Sequence, residues 1–159
     1  MSEPLNVGDP APDFTAEQTS GERLSLADLR GKKVVLYFYP RDNTPGCTKE
    51  ACALRDRYAQ LQAAGVAVVG VSTDSVRSHQ KFTEKFALPF ALLADTEGAI
   101  ARAYGAWGEK KFMGRTSVGI LRHTVVIDEA GRIAHIYRKV KPEEHAEQIL
   151  RDLGIASEA

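Results

Sequence analysis

His123-Thr124-Val125-Val126-Ile127-Asp128-Glu129-Ala130-Gly131-Arg132-Ile133-Ala134-His135-Ile136-Tyr137 is the stretch on which the fold turns. Two short runs rich in valine, isoleucine and other β-formers, 123–127 and 133–137, flank Asp128-Glu129-Ala130-Gly131, a cluster of turn-forming residues. That connection is too short to hold a crossover helix, so the two strands must be antiparallel. Upstream, Val34-Val35-Leu36-Tyr37-Phe38-Tyr39 and Val66-Ala67-Val68-Val69-Gly70-Val71 are nearly uninterrupted apolar runs. Each reads as a central strand buried on both faces.

Helical patterns lie between the strands. Leu54, Tyr58 and Leu61 recur at helical spacing, which predicts a helix from about Cys47 to Ala64 with Gly65 as its stop. Ser75 or Ser78 can cap a helix carrying Phe82 and Phe86. Shorter elements are expected at 90–93 (strand), 97–104 (helix) and 143–153 (last helix). Near the start, 13–16 and 21–26 read as a loose hairpin turning at Gly21, followed by one helical turn over 27–31. Strands alternating with helices give an α/β sandwich with helices on both faces. The antiparallel pair makes its sheet mixed, which fits a thioredoxin-like fold better than a doubly wound nucleotide-binding one. A dinucleotide site would also want a glycine fingerprint after the first central strand, where this chain has Pro40 to Gly46.

The 159 residues are expected to form a single domain, residues 1–159, large enough for a substantial core. Twenty-one basic residues balance twenty-one acidic ones, so no global field points to nucleic acid or an anionic membrane as partner. Lys32-Lys33 and Lys110-Lys111 are short enough to be solvated loops or edges. Residues 1–9 are polar and no apolar run is long enough to cross a bilayer, so the expected compartment is the cytoplasm. Two cysteines in a reducing compartment suggest catalysis or redox sensing rather than a permanent bridge.

The chemistry-bearing segment is Tyr39-Pro40-Arg41-Asp42-Asn43-Thr44-Pro45-Gly46-Cys47-Thr48-Lys49-Glu50-Ala51-Cys52. Cys47 falls at a predicted helix start beyond the carboxyl end of a central strand, where open α/β sheets bind ligands. Free backbone N–H groups and the positive helix end favour a thiolate there. The bland reading is a small buried hydrophobe that happens to be cysteine. Thr44 offers a hydroxyl to the sulfur or to a bound oxygen, and Pro40 stiffens the loop floor. Glu50 is either a first-turn acid favoured by the helix dipole or the group that orients an arginine. Cys52 lies five residues on, which in a regular helix separates the two Cα atoms by about 8.7 Å. A disulfide usually needs less than about 7 Å. Any bond between the two therefore requires the start of this helix to unwind, giving a fully folded reduced form and a locally unfolded oxidised one.

The spacing is not the C-x-x-C of a disulfide oxidoreductase, and a structural zinc site would need two more ligands. His79, His123, His135 and His145 are scattered singly, so no metal and no other cofactor is expected. Neither a phosphatase loop nor a phosphate-binding P-loop fits. Attack on a peroxide needs a thiolate and donors that stabilise charge on the departing oxygen, and arginine suits that task. From the residues alone, Arg55, Arg115 and Arg122 all remain open. Trp107 and Met113 read as loop residues that either line the mouth of the site or pack locally. A dithiol oxidoreductase and a non-enzymatic redox sensor are the competing functional readings.

With Pro40, Thr44, Cys47 and Cys52 in this order, the sequence resembles the peroxiredoxins, specifically the bacterioferritin-comigratory or Q-type branch. Gly119-Ile120-Leu121-Arg122-His123-Thr124-Val125-Val126-Ile127 matches the segment that carries the family arginine. Tyr104-Gly105-Ala106-Trp107-Gly108-Glu109-Lys110-Lys111-Phe112-Met113-Gly114 is similar to a signature of the branch. The resemblance runs from Gly8 through the last helix. It implies Cys47 as peroxidatic and Cys52 as resolving cysteine, joined in a disulfide by way of a sulfenic acid. It also implies that Arg122, Thr44 and the Cys47 N–H bind the peroxide, that hydroperoxides are the substrates, and that thioredoxin or a similar dithiol is the reductant. A monomer is expected, with the resolving partner in the same chain.

Overall fold

The computed structural model describes residues 5–155. A five-stranded mixed sheet lies at its centre. The strands are β3 (Lys33–Phe38), β4 (Val66–Ser72), β5 (Ala91–Ala94), β8 (His123–Ile127) and β9 (Ile133–Tyr137), in the order β5-β4-β3-β8-β9. β3, β4 and β5 are mutually parallel, whereas β8 runs antiparallel to β3 and β9 antiparallel to β8. The hairpin around Gly131 thus makes the sheet mixed, as its short connection requires. Two small ribbons lie outside the sheet: β1 (Thr15–Glu17) with β2 (Arg23–Ser25), and β6 (Trp107–Phe112) with β7 (Arg115–Ile120).

The uninterrupted apolar run of β3 serves two cores by its period of two. Val34, Leu36 and Phe38 face a cluster with Phe14, Leu26, Ala101 and Tyr104, built by the first ribbon, a 3-10 turn at Leu26–Leu29 and α4 (Ala99–Ala103). Val35, Tyr37 and Tyr39 face Cys47, Leu54, Leu61, Phe82 and Ile149. These come from α1 (Pro45–Asp56), α2 (Tyr58–Ala63), α3 (Val76–Phe86) and α5 (His145–Asp152). Both faces of the sheet are therefore covered, as the α/β reading expects.

Two expectations need correction, and one open choice is settled. The helix expected over 47–64 begins at Pro45 and is two helices, broken at Arg57 (φ −107°, ψ 2°), whose N–H turns to the Leu54 carbonyl at 3.2 Å. The segment around Trp107 and Met113 is not a loop but the β6–β7 ribbon. Met113 (φ 51°) and Gly114 (φ 78°) form its turn, the doubly left-handed geometry of a type I′ hairpin. Met113 is 86% exposed, so of its two expected roles local packing does not occur. At α3 the cap is Ser75, whose Oγ accepts from the Ser78 N–H at 3.1 Å.

Candidate active site

The site forms where β3 hands over to α1. Tyr39 continues the strand, its N–H donating to the Val71 carbonyl at 3.1 Å, and Pro40 then ends sheet pairing. Thr44 is the N-cap of α1 and Pro45 its first helical residue, a position that needs no N–H. This start places Cys47 in the first turn and buries it to 1% exposure against the sheet. One turn later Glu50 is fully buried.

Of the three arginines left open by the sequence, Arg122 reaches the sulfur. It enters from the short link between β7 and β8. Its Nη2 donates to Cys47 Sγ at 3.3 Å and its Nη1 to Glu50 Oε1 at 2.7 Å. Arg55 is occupied elsewhere, with Nη1 on the Phe86 carbonyl at 2.7 Å, and Arg115 is exposed on β7. Burial works against the Arg122 charge, but the sulfur and the Glu50 carboxylate outweigh it and hold its pKa above the ordinary value. Burial pushes Glu50 up to about 7, against the downward pull of Arg122. One guanidinium fork therefore spans a sulfur and a buried carboxylate, a geometry that lysine cannot reproduce.

Thr44 is placed differently from the simplest expectation. Its hydroxyl donates to the Arg41 carbonyl at 2.9 Å, so its proton is committed and its lone pairs are what remain for an incoming group. It does not cap the helix with its side chain. The Cys47 N–H lies in the first turn, where helix geometry supplies no i−4 carbonyl. Cys52 is half-buried on α1, and the two thiols are not joined. Beside the loop opens a cleft of about 410 Å³, with Pro40, Arg41, Trp107, Lys110, Val118 and Ile120 among its walls. Trp107 stands there with its ring 4.5 Å from the Arg102 guanidinium and packed over Gly98.

Two participants have roles at the site that the sequence alone does not give them. Lys110, on β6, shares the cleft: burial lowers its pKa, the Cys47 charge raises it and Arg122 lowers it. Gly46 gives room to Arg122, since a Cβ there would lie 3.2 Å from Nη2. A glycine one residue before this buried cysteine is a readable signal of close approach. The expected result for Gly46→Ala is a severalfold slower oxidation of the thiol by hydrogen peroxide, because the fork must shift by tenths of an ångström. Alanine favours the helix by about 0.5–1 kcal/mol, so Tm should hold or rise. Slower thiol oxidation with no loss of stability, measured by stopped flow and thermal melting, is the signature.

Residues 7–136 match the AhpC/TSA family. The peroxiredoxin Bcp of Escherichia coli is 44% identical over 147 residues, covering 92% of this chain and 94% of that one. The peroxiredoxin Bcp of Bacillus subtilis is 44% identical over 154 residues, covering 97% and 98%. Among solved structures, a cysteine-to-serine mutant of PrxQ from Xylella fastidiosa superposes with a TM-score of 0.90 at 32% identity, covering 96% of this chain and 98% of that one. The bacterioferritin comigratory protein of Xanthomonas campestris, solved as trapped intermediate and ligand complexes bearing on its alkyl peroxide reduction, superposes at 0.86 with 33% identity, covering 94% and 96%. On these matches the chain has the thioredoxin-like fold and belongs to the Bcp/PrxQ peroxiredoxins, thiol peroxidases that work through a redox-active cysteine.

Proposed function

We propose that this protein reduces hydrogen peroxide and organic hydroperoxides in the cytosol through Cys47 and Cys52, and is recycled as a monomer by a thioredoxin-type dithiol. The observation that carries the reading is the Arg122 fork, bonded at once to Cys47 Sγ and to Glu50. Cys47 as thiolate attacks the terminal peroxide oxygen. The S–O bond forms as the O–O bond breaks, and the leaving oxygen takes the proton of the attacked oxygen and departs as water or alcohol. Arg122 donates to the charge that develops along this line, in a site where water is largely excluded. The lone pairs of Thr44 accept the peroxide O–H, and the Cys47 N–H supplies a further donor. Pro40 forms the floor, while the cleft beside Trp107 has space for the organic part of a larger hydroperoxide. That use is in keeping with the alkyl peroxide activity named for the Xanthomonas protein.

The resulting sulfenic acid then condenses with the Cys52 thiol: the S–S bond forms as the S–O bond breaks, and the hydroxyl leaves as water with the thiol proton. Helix geometry keeps the two residues too far apart for that bond until the first turns of α1 unwind. The break at Arg57 confines such unwinding to α1 and leaves α2 on the sheet.

NADPH oxidation coupled through thioredoxin and its reductase tests this reading. With either hydrogen peroxide or cumene hydroperoxide the wild type should turn over continuously, and Cys52→Ser should lose the thioredoxin-supported rate by about a hundredfold. Undiminished turnover by Cys52→Ser, or insulin reduction as fast as peroxide reduction, would count against it.

A further inference from the structure

Asp42 has no part in the chemistry just described, yet it is the most heavily bonded side chain of the loop. Its carboxylate is 3% exposed and makes three side-chain bonds: it accepts from Tyr39 Oη at 2.6 Å and from Ser78 Oγ at 2.8 Å, and its Oδ2 lies 2.7 Å from His79 Nδ1. The His79 ring is fully buried, and its Nε2 lies 2.9 Å from the Leu93 carbonyl. A carbonyl only accepts, so Nε2 carries a proton, and the Nδ1–Asp42 contact holds one more between ring and carboxylate. The loop backbone is tied as well. The Asp42 N–H donates to Asp74 Oδ2 at 2.8 Å, and Ser72 Oγ donates to the same oxygen at 2.6 Å.

From these observations we infer that Asp42, clamped by His79, Ser78 and Tyr39, is a positioning residue for peroxide attack. The inference rests on the reading that Cys47 is the attacking thiol. The clamp fastens the loop to α3 and to the ends of β4 and β5. One residue later Asn43 takes the left-handed conformation (φ 59°), which asparagine tolerates better than other side-chain-bearing residues. That reversal brings the Thr44 hydroxyl onto the Arg41 carbonyl and starts α1, and with it the turn that carries Cys47. Asp42 thereby fixes the direction of the Thr44 lone pairs and the place of the sulfur relative to Arg122. A fully satisfied buried polar cluster of this kind specifies one geometry where apolar packing would accept several.

The test separates positioning from mere stability by using two electrophiles. Peroxide needs the oriented Thr44 and Arg122, whereas iodoacetamide needs only an accessible thiolate. In His79→Phe and Asp42→Asn, oxidation of Cys47 by hydrogen peroxide should slow about ten- to a hundredfold, with alkylation by iodoacetamide changing less than threefold. Ser78→Ala, which removes one donor and leaves the ring in place, should slow oxidation severalfold and provides the reading should the larger changes prevent folding. Leu88→Ala, a core truncation with no bond to the loop, serves as the control for lost stability. At matched loss of Tm, oxidation in the His79 and Asp42 variants no slower than in Leu88→Ala overturns the inference. So does a parallel loss of both reactions. A wild type that fails to react with peroxide would instead overturn the assignment of Cys47 itself.

Discussion

Arg122→Gln should oxidise at Cys47 about a hundred to a thousand times more slowly than the wild type, the usual cost of losing one donor aimed at developing charge. Nη2 sits 3.3 Å from Sγ and Nη1 2.7 Å from Glu50, and the charge on the group is secured by both partners. In the transition state the sulfur loses electron density while the leaving oxygen gains it, so a rigid cation that can serve both ends lowers the barrier directly. Glutamine keeps one donor and loses the charge. Arg122→Lys keeps the charge but can bond either the sulfur or Glu50, not both, so it should fall between the other two. Stopped-flow oxidation with a single equivalent of peroxide reads all three. A loss of less than tenfold in Arg122→Gln would mean that another group carries the charge.

The second large effect concerns pH and stability. Glu50 titrates near 4.5 when unhindered and at about 7 in the folded protein, because burial outweighs the neighbouring guanidinium. Between those values the folded form binds a proton that the unfolded chain has released. Stability from this group is therefore highest below about pH 4.5, falls as pH rises toward 7, and levels off above it. The full span is on the order of 3 kcal/mol. Glutamine at 50 has the shape of the neutral acid and cannot ionise. The unfolding free energy of Glu50→Gln, relative to wild type, should accordingly improve by about 2–3 kcal/mol between pH 5 and pH 8 in denaturant titrations. A constant difference across that range would show that Glu50 keeps its ordinary pKa. Activity should move the other way, since Nη1 would then face a neutral acceptor and the fork would be held less firmly.

Much of this architecture is written in local pattern. The apolar runs of β3 and β4, the turn at Gly131 and the cysteine at a helix start are all signals that act over a few residues. The β6–β7 ribbon escaped because most of β7 is exposed, so no apolar alternation marks it. Its turn also places methionine, a poor signal, at a left-handed position. Among Arg55, Arg115 and Arg122 the residues alone make no choice, and only the family resemblance singles out Arg122: it lies 75 residues from Cys47, and only the sheet register brings the β7–β8 link over α1. The Asp42 cluster is likewise assembled across 36 and 37 residues, from side chains that individually read as ordinary loop and helix-surface groups. Local chemistry was legible, whereas its partners depended on tertiary placement.

The most direct measurement is an intact-mass time course after one equivalent of hydrogen peroxide is added to the reduced protein, with Cys47→Ser and Cys52→Ser alongside. The wild type should rapidly lose two hydrogens, Cys52→Ser should gain one oxygen, and Cys47→Ser should stay unchanged. Oxidation of the wild type at the rate of an ordinary thiol, or oxygen addition without loss of two hydrogens, would contradict the two-cysteine mechanism.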